Sequence, residues 1–100
     1  MIERNITFHL LPGKADAFEN FFGSEYAPAL AAASGFGGAE LLRPLEDDES
    51  VVMVLRFSST ETAQAWRESP RHKQLSPVLK SLYQTSELRV YEVLAVQPGA

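Results

Sequence analysis

The segment Val51–Phe57 constrains the fold of this chain more than any other part of its sequence. It is rich in β-branched residues, as strands are, and its apolar side chains occupy both sets of alternating positions. A strand of this kind belongs to a sheet that is covered on both faces. Because 100 residues supply helices for only one face, we expect the other face to meet a partner chain.

The first third of the chain is predicted to form a strand followed by a helix. Apolar residues alternate from Ile2 to Leu11, and from Lys14 onward they recur at steps of three and four. Pro28 removes a backbone donor, so we expect this helix to bend or break between Tyr26 and Pro28. The glycine-rich stretch Ser34–Gly38 is expected to end the helix.

The rest of the chain is predicted to add three strands and two helical segments. The spacing of Ser58–Glu61 is typical of a capping box that starts a helix, and Ser69-Pro70 is expected to interrupt that helix. A further helical stripe continues to Tyr83, with Ser76 as its predicted N-cap. The predicted strands are Ala39–Leu45, Val51–Phe57 and Leu88–Val96. The order βαββαβ predicts a single α+β domain over residues 1–100, a ferredoxin-like sandwich with an antiparallel sheet.

Composition excludes several functional classes. The net charge is −4 and the pI is near 5.1, whereas nucleic-acid binding needs a basic surface. The absence of cysteine excludes disulfides, thiolate metal sites and a cysteine nucleophile, and the few histidines form no metal-binding pattern. No apolar run is long enough for a signal peptide or a membrane span, so a cytoplasmic location is expected.

Two residues are the main candidates for chemistry. His72 follows the predicted helix break, and its ordinary pKa lies near neutral pH, which suits a proton acceptor at the mouth of a cavity. An exposed histidine in a basic loop is the alternative. Trp66 suits either the wall of a flat aromatic-ligand pocket or an anchor in a small core. The same two interpretations apply to the aromatic residues of the first helix, which are Phe18, Phe21, Phe22 and Tyr26.

Four stretches of the sequence together resemble the antibiotic biosynthesis monooxygenase family. They are Leu11–Lys14, Gly35–Pro44, Phe57–Trp66 and Ser69–Lys73, and the similarity spans nearly the whole chain. The resemblance implies a homodimer that forms a dimeric α/β barrel, in which the sheets of two ferredoxin-like protomers pack face to face. It also implies a ligand cavity in each protomer, between the sheet and the helices.

The family includes cofactor-free monooxygenases that act on polycyclic phenols and quinols, and monooxygenases that degrade haem. The haem-degrading members use an asparagine on the first strand, a tryptophan on the second helix and a histidine ten residues later. Trp66 matches the tryptophan. Ser76 stands at the histidine position, and Ile6 stands at the asparagine position, next to Asn5. The resemblance to the haem-degrading members is therefore reduced to one residue.

These observations lead to the hypothesis of a cofactor-independent monooxygenase that acts on a small aromatic, quinol or polyphenol substrate. We expect it to need no cofactor and no metal, and to have neither a nucleic-acid nor a membrane partner. His72 and Trp66 are the predicted catalytic residues. The predicted substrate-binding residues are Phe18, Phe22, Tyr26, Met53 and Leu79. A non-catalytic dimeric domain that binds or senses a small ligand is the main alternative, and haem degradation is the third.

Overall fold

Four strands form the framework of the molecule, in a computed structural model that describes residues 1–99. The strands are β1 (Ile2–Leu10), β2 (Phe36–Leu42), β3 (Ser50–Phe57) and β4 (Tyr83–Glu92). They form one antiparallel sheet in the order β2-β3-β1-β4. Helices connect β1 to β2 and β3 to β4, so the predicted ferredoxin-like α+β fold is confirmed.

The helices come in two groups. In the first, α1 (Ala15–Phe21) continues through a π-helical turn at Phe22–Tyr26 into α2 (Ala27–Ala31). In the second, α3 (Thr60–Glu68) is followed at once by α4 (Pro70–Lys80). Within residues 1–99, every helix is too short or too polar to cross a bilayer.

The first helical group passes Pro28 without the break that we expected between Tyr26 and Pro28. The irregularity lies earlier, where the backbone N–H of Ala27 donates to the carbonyl of Phe22 across the wider spacing of a π-helical turn. Pro28 then lies at the start of α2, a position that tolerates a missing backbone donor. The expected break is therefore wrong, and a π-helical turn takes its place.

The caps of α3 and α4 also differ from their predicted positions. Ser59, and not Ser58, caps α3: its Oγ accepts the backbone N–H of Thr62 at 3.2 Å, and its own N–H donates to Thr62 Oγ1. Ser76 lies inside α4, because Ser69 caps this helix and Pro70 occupies its first turn. The interruption at Ser69-Pro70 occurs where it was predicted.

The last strand begins at Tyr83, well before the predicted start at Leu88, and it ends at Glu92 rather than at Val96. The polar residues Gln84–Glu87 belong to an exposed edge strand next to β1. Edge strands are often polar, so this stretch lacks the apolar alternation that would have marked it as β structure.

The core lies between the helices and one face of the sheet. Its fully buried side chains come from both layers and are Phe18, Leu30, Met53, Leu55 and Phe57. Val52 and Val54 alternate with the core residues Val51, Met53 and Leu55 of β3, so they point to the opposite face of the sheet, away from the helices. The two-sided apolar pattern of β3 is therefore present, with the helix layer on one side only.

Candidate active site

A cavity of about 330 Å³ lies between the sheet and the last two helices. Arg4, Ile6 and Phe8 on β1 and Leu88 on β4 contribute to its floor, because they belong to the alternating sets that face the helices. The helical side of the cavity is lined by Trp66, Arg67, His72, Ser76, Leu79 and Lys80. The spacing of the four lining residues on α4 places them on one face of that helix.

The break between α3 and α4 holds Trp66 and His72 next to each other. Ser69 lies at this break with an extended backbone (φ −67°, ψ 149°), as a residue before proline does. Its Oγ donates a hydrogen bond to the backbone carbonyl of Trp66 at 2.7 Å. The same Oγ accepts a hydrogen bond from the backbone N–H of His72, with 3.1 Å between N and Oγ. One hydroxyl group therefore ties the end of α3 to the first turn of α4.

Three rings meet at this end of the cavity. The centroids of Trp66 and His72 lie 5.4 Å apart with an interplanar angle of 81°, which is an edge-to-face contact. Tyr26 lies 5.7 Å from Trp66 at 88° and 6.4 Å from His72 at 71°. Tyr26 is the last residue of the π-helical turn, so this irregular turn brings a third aromatic ring to the site.

The indole N–H of Trp66 lacks a well-formed hydrogen bond. Its Nε1 is buried and makes no well-formed hydrogen bond to any of residues 1–99, although Trp66 is only 4% exposed. Leaving a buried donor unpaired costs about 1–3 kcal/mol, so such groups are rare unless a ligand or water completes them. Tyr26 is its polar neighbour: burial raises the pKa of the phenol, and hydrogen bonding from the Trp66 side chain, which falls short of full hydrogen-bond geometry, opposes that rise.

The surroundings of His72 favour its neutral imidazole form. Burial lowers its pKa below the usual value, and the positive charges of Arg67, Arg4 and Lys80 lower the pKa further. A neutral imidazole has one nitrogen free to accept a proton. His72 is therefore in the protonation state that a general base requires.

A model of the antibiotic biosynthesis monooxygenase family matches residues 1–77 of the chain. The chain belongs to this family. Among solved structures, it is similar to SnoaB, a cofactor-independent oxygenase from Streptomyces nogalater, with 22% identity and a TM-score of 0.85 over 98% of this chain and 97% of that one. No curated protein matches the sequence.

Two further solved structures share the fold of the family. PA3566 from Pseudomonas aeruginosa is 19% identical, with a TM-score of 0.78 over 94% of each chain. A conserved protein from Methanosarcina mazei Go1 is 20% identical, with a TM-score of 0.79 over 90% of this chain and 89% of that one. At such identities, the likeness establishes the fold alone.

The structure brings four of the seven predicted site residues to the cavity. Trp66, His72, Tyr26 and Leu79 line it. Phe18 and Met53 are both fully buried in the core, where Phe18 packs on Phe8 with ring centroids 5.1 Å apart. Phe22 is partly exposed and lines a separate groove between the first helical group and β2. The predicted cluster is therefore divided among the cavity, the core and this groove.

The haem-degrading arrangement of the family does not fit this cavity. Ser76 lines it one turn after His72 and offers a hydroxyl where those members have a histidine. Ile6 lines it as well, whereas Asn5 lies on the opposite face of β1, opposite Val54. The pairing of β1 with β3 is regular at this point, so no bulge turns Asn5 towards the helices. Among residues 1–99, no three His, Asp or Glu side chains form a group that could hold a metal ion.

Sequence reasoning missed the cationic residues of the site. Arg4, Arg67 and Lys80 line the cavity, but none of them belongs to a recognisable motif. A signal was nevertheless present for Arg4, because it lies between Ile2 and Ile6 in the alternating set that faces the core. A charge at a core-facing strand position needs a partner, an opening to solvent or a ligand.

Proposed function

We propose that this chain is a cofactor-independent monooxygenase for an electron-rich aromatic substrate such as a quinol, an anthrone or a polyphenol. The observation that carries the proposal is the meeting of Trp66, Tyr26 and a neutral His72 at one cavity. The rings offer flat surfaces for an aromatic molecule, and the imidazole offers a proton acceptor. Membership of the family supports this class of reaction.

The proposed reaction requires only the substrate and molecular oxygen. In an anthrone, the ring CH₂ group loses a proton to His72, and the resulting carbanion supplies electrons to O₂. One oxygen atom becomes the new ring carbonyl, and the other leaves as water with the two hydrogens of the CH₂ group. The substrate is thereby oxidised to a quinone, and His72 returns its proton to the departing water.

The chain itself contributes binding, orientation and proton transfer. Trp66 and Tyr26 hold the ring system, and the cavity removes it from bulk water. Burial and the neighbouring cations keep His72 ready to accept a proton.

Oxygen uptake in the presence of hydroquinones and anthrones tests the proposal. We expect uptake above the uncatalysed rate, reduced about 100-fold or more in His72→Gln. Lys73→Gln is the control: Lys73 follows His72 on α4, is exposed and does not line the cavity. Uptake equal to the uncatalysed rate for every compound contradicts the proposal, and equal losses in the two variants contradict the role of His72.

A non-catalytic domain that binds a small aromatic ligand is the second candidate. One observation favours it. Among the cavity-lining residues of the described chain, His72 is the only side chain that can accept a proton near neutral pH, so the cavity offers no second group for proton transfer. Calorimetric titration with the same hydroquinones distinguishes the two candidates. Binding without oxygen uptake supports the non-catalytic domain, and binding with uptake supports the oxygenase.

We also propose that two copies of the chain associate through the sheet face that points away from the helices. This face carries Val52, Val54 and the half-exposed side chains of Leu42 and Tyr91. Members of the family are generally dimeric, which supports a second copy as the partner.

Sedimentation velocity at about 10 µM protein tests this association. We expect the mass of a dimer for the wild type and a shift to monomer for Val54→Lys, which places a charge at an apolar position of this face. Val78→Lys is the control, because Val78 is exposed on α4, on the other side of the molecule. A monomeric wild type, or dissociation of both variants alike, contradicts the proposed interface.

A further inference from the structure

The cavity carries an uncompensated positive charge. Arg4, Arg67 and Lys80 line it, and none of its lining residues within the described chain is an aspartate or a glutamate. This contrasts with the whole chain, which has 13 acidic against 9 basic residues. Although the net charge of the chain is negative, a third of its basic side chains and none of its acidic ones line this cavity.

These three cations have no counter-ion in the described part of the chain. The ion pairs formed by its arginines are Arg43 with Glu19 and Arg56 with Glu3, and both lie outside the cavity. Arg4 is the most buried of the three cations. It lies on β1, a central strand of the sheet, points towards the helices and is only partly exposed. Burial and the repulsion from Arg67 both lower the pKa of Arg4, and the neighbouring Tyr26 opposes them in part.

An unpaired, partly buried charge such as that of Arg4 is only partly stabilised by solvent, so an anion that enters the cavity gains a favourable partner there. Trp66 and Tyr26 line the same cavity. A guanidinium group presents parallel N–H donors that match the two oxygens of a carboxylate. The cavity thus combines aromatic surfaces with donors suited to a carboxylate.

We propose that the substrate is an aromatic carboxylic acid, whose carboxylate is bound by Arg4 and Arg67 while its ring system lies against Trp66 and Tyr26. This inference rests on the proposed function only in taking the occupant of the cavity to be the substrate. Lys80 adds to the positive potential at the same opening. The carboxylate allows the cavity to recognise the substrate and to orient it, and the oxidation takes place on the ring.

Isothermal titration with a matched pair of ligands tests this assignment. 2-Naphthoate carries the carboxylate, and 2-naphthamide has the same ring and a neutral amide of nearly the same shape. We expect the wild type to bind naphthoate at least about tenfold more tightly than naphthamide at low ionic strength. Arg4→Gln and Arg67→Gln should each reduce this preference to about threefold or less, while the affinity for naphthamide stays unchanged.

Arg71→Gln is the matched control. Arg71 precedes His72 on α4, is exposed and does not line the cavity, so its removal changes the net charge equally without touching the proposed site. Arg4→Gln should fold at least as well as the wild type, because it removes an unpaired charge, and Arg67→Gln at an exposed position provides a second variant.

Three outcomes overturn the inference: no binding of naphthoate up to about 1 mM, no preference for naphthoate over naphthamide, or the same loss of preference in Arg71→Gln. The titration involves no oxygen chemistry, so its result is separate from that of the oxygen-uptake assay. Uptake with neutral anthrones but no preference for naphthoate refutes the carboxylate alone. A preference for naphthoate without uptake of oxygen by any quinol refutes the oxygenase alone.

Discussion

Gly35 is the position at which one added carbon should most disturb the molecule. Its φ of +76° disfavours any side chain, and a methyl carbon added there would lie 2.5 Å from Thr62 Cγ2, 2.6 Å from Thr62 Cβ and 2.7 Å from Ser58 Oγ. The backbone conformation costs a non-glycine residue about 1–2 kcal/mol, and the steric overlap adds about 1–3 kcal/mol. We therefore expect Gly35→Ala to lower the free energy of unfolding by about 3 kcal/mol, a large part of a stability that is typically about 5–15 kcal/mol.

Gly13→Ala separates the two causes. Gly13 has nearly the same backbone conformation, with φ +75°, but no atom lies within 4 Å of an added methyl carbon. Gly13→Ala should therefore show the conformational cost of about 1–2 kcal/mol alone. Urea unfolding followed by far-UV circular dichroism measures both variants. If Gly35→Ala is no more destabilising than Gly13→Ala, the steric reasoning is refuted.

A double-mutant cycle identifies the residue that Gly35 faces. Thr62→Ser removes the nearest methyl group and keeps the hydroxyl that completes the cap of α3. Gly35→Ala should then cost about 1 kcal/mol less in the Thr62→Ser background than in the wild type. Because α3 carries Trp66, the same overlap should disturb the cavity, and Gly35→Ala should weaken naphthoate binding where Gly13→Ala does not.

Substitutions at Trp66, Ser69 and His72 probe the site through stability. Trp66→Phe removes the unpartnered N–H and keeps most of the apolar ring, so it should cost less than about 1.5 kcal/mol in urea unfolding, against about 3–5 kcal/mol for Trp66→Ala. Ser69→Ala removes the hydroxyl that bonds the backbones of Trp66 and His72, so it should cost about 1–2 kcal/mol by the same measurement, whereas Ser81→Ala at the exposed end of α4 should cost less. The folded chain binds a proton at His72 less readily than the unfolded chain does, because burial and the nearby cations lower its pKa, so stability should fall as the pH drops below about 6.5. His72→Gln should therefore lose less stability than the wild type between about pH 7.5 and about pH 5.5, and an equal loss would refute the shift.

The elements of the fold could be predicted where apolar spacing is strong. The alternation on β1 and the two-sided apolar pattern of β3 both predict strands, because the apolar residues of a strand lie on the faces that become buried. β2 runs over Phe36–Leu42, not over the predicted Ala39–Leu45, because its second and third residues are glycines that carry no side-chain signal. β4 starts in a polar edge stretch and was missed for a similar reason.

The site was harder to predict than the fold, because it depends on which aromatic residues are left beside an opening. Trp66 and Tyr26 line the cavity while the neighbouring Phe18 is sealed in the core, yet all three are aromatic residues at helical spacing. The π-helical turn changes the angular position of every later side chain in the first helical group, including Tyr26. The break that we expected at Pro28 does not predict this change in the direction of the Tyr26 side chain.

The local departures from favourable structure lie around one cavity. An unpartnered indole N–H, an unpaired Arg4 and a π-helical turn that ends at Tyr26 are each unfavourable for an isolated domain. Such departures tend to gather where function requires them. We therefore expect that removing these unfavourable features lowers ligand affinity without lowering the free energy of unfolding. Arg4→Gln combined with Trp66→Phe should retain wild-type stability within about 1.5 kcal/mol while losing most of the affinity for naphthoate, a pairing that damage to the fold cannot produce.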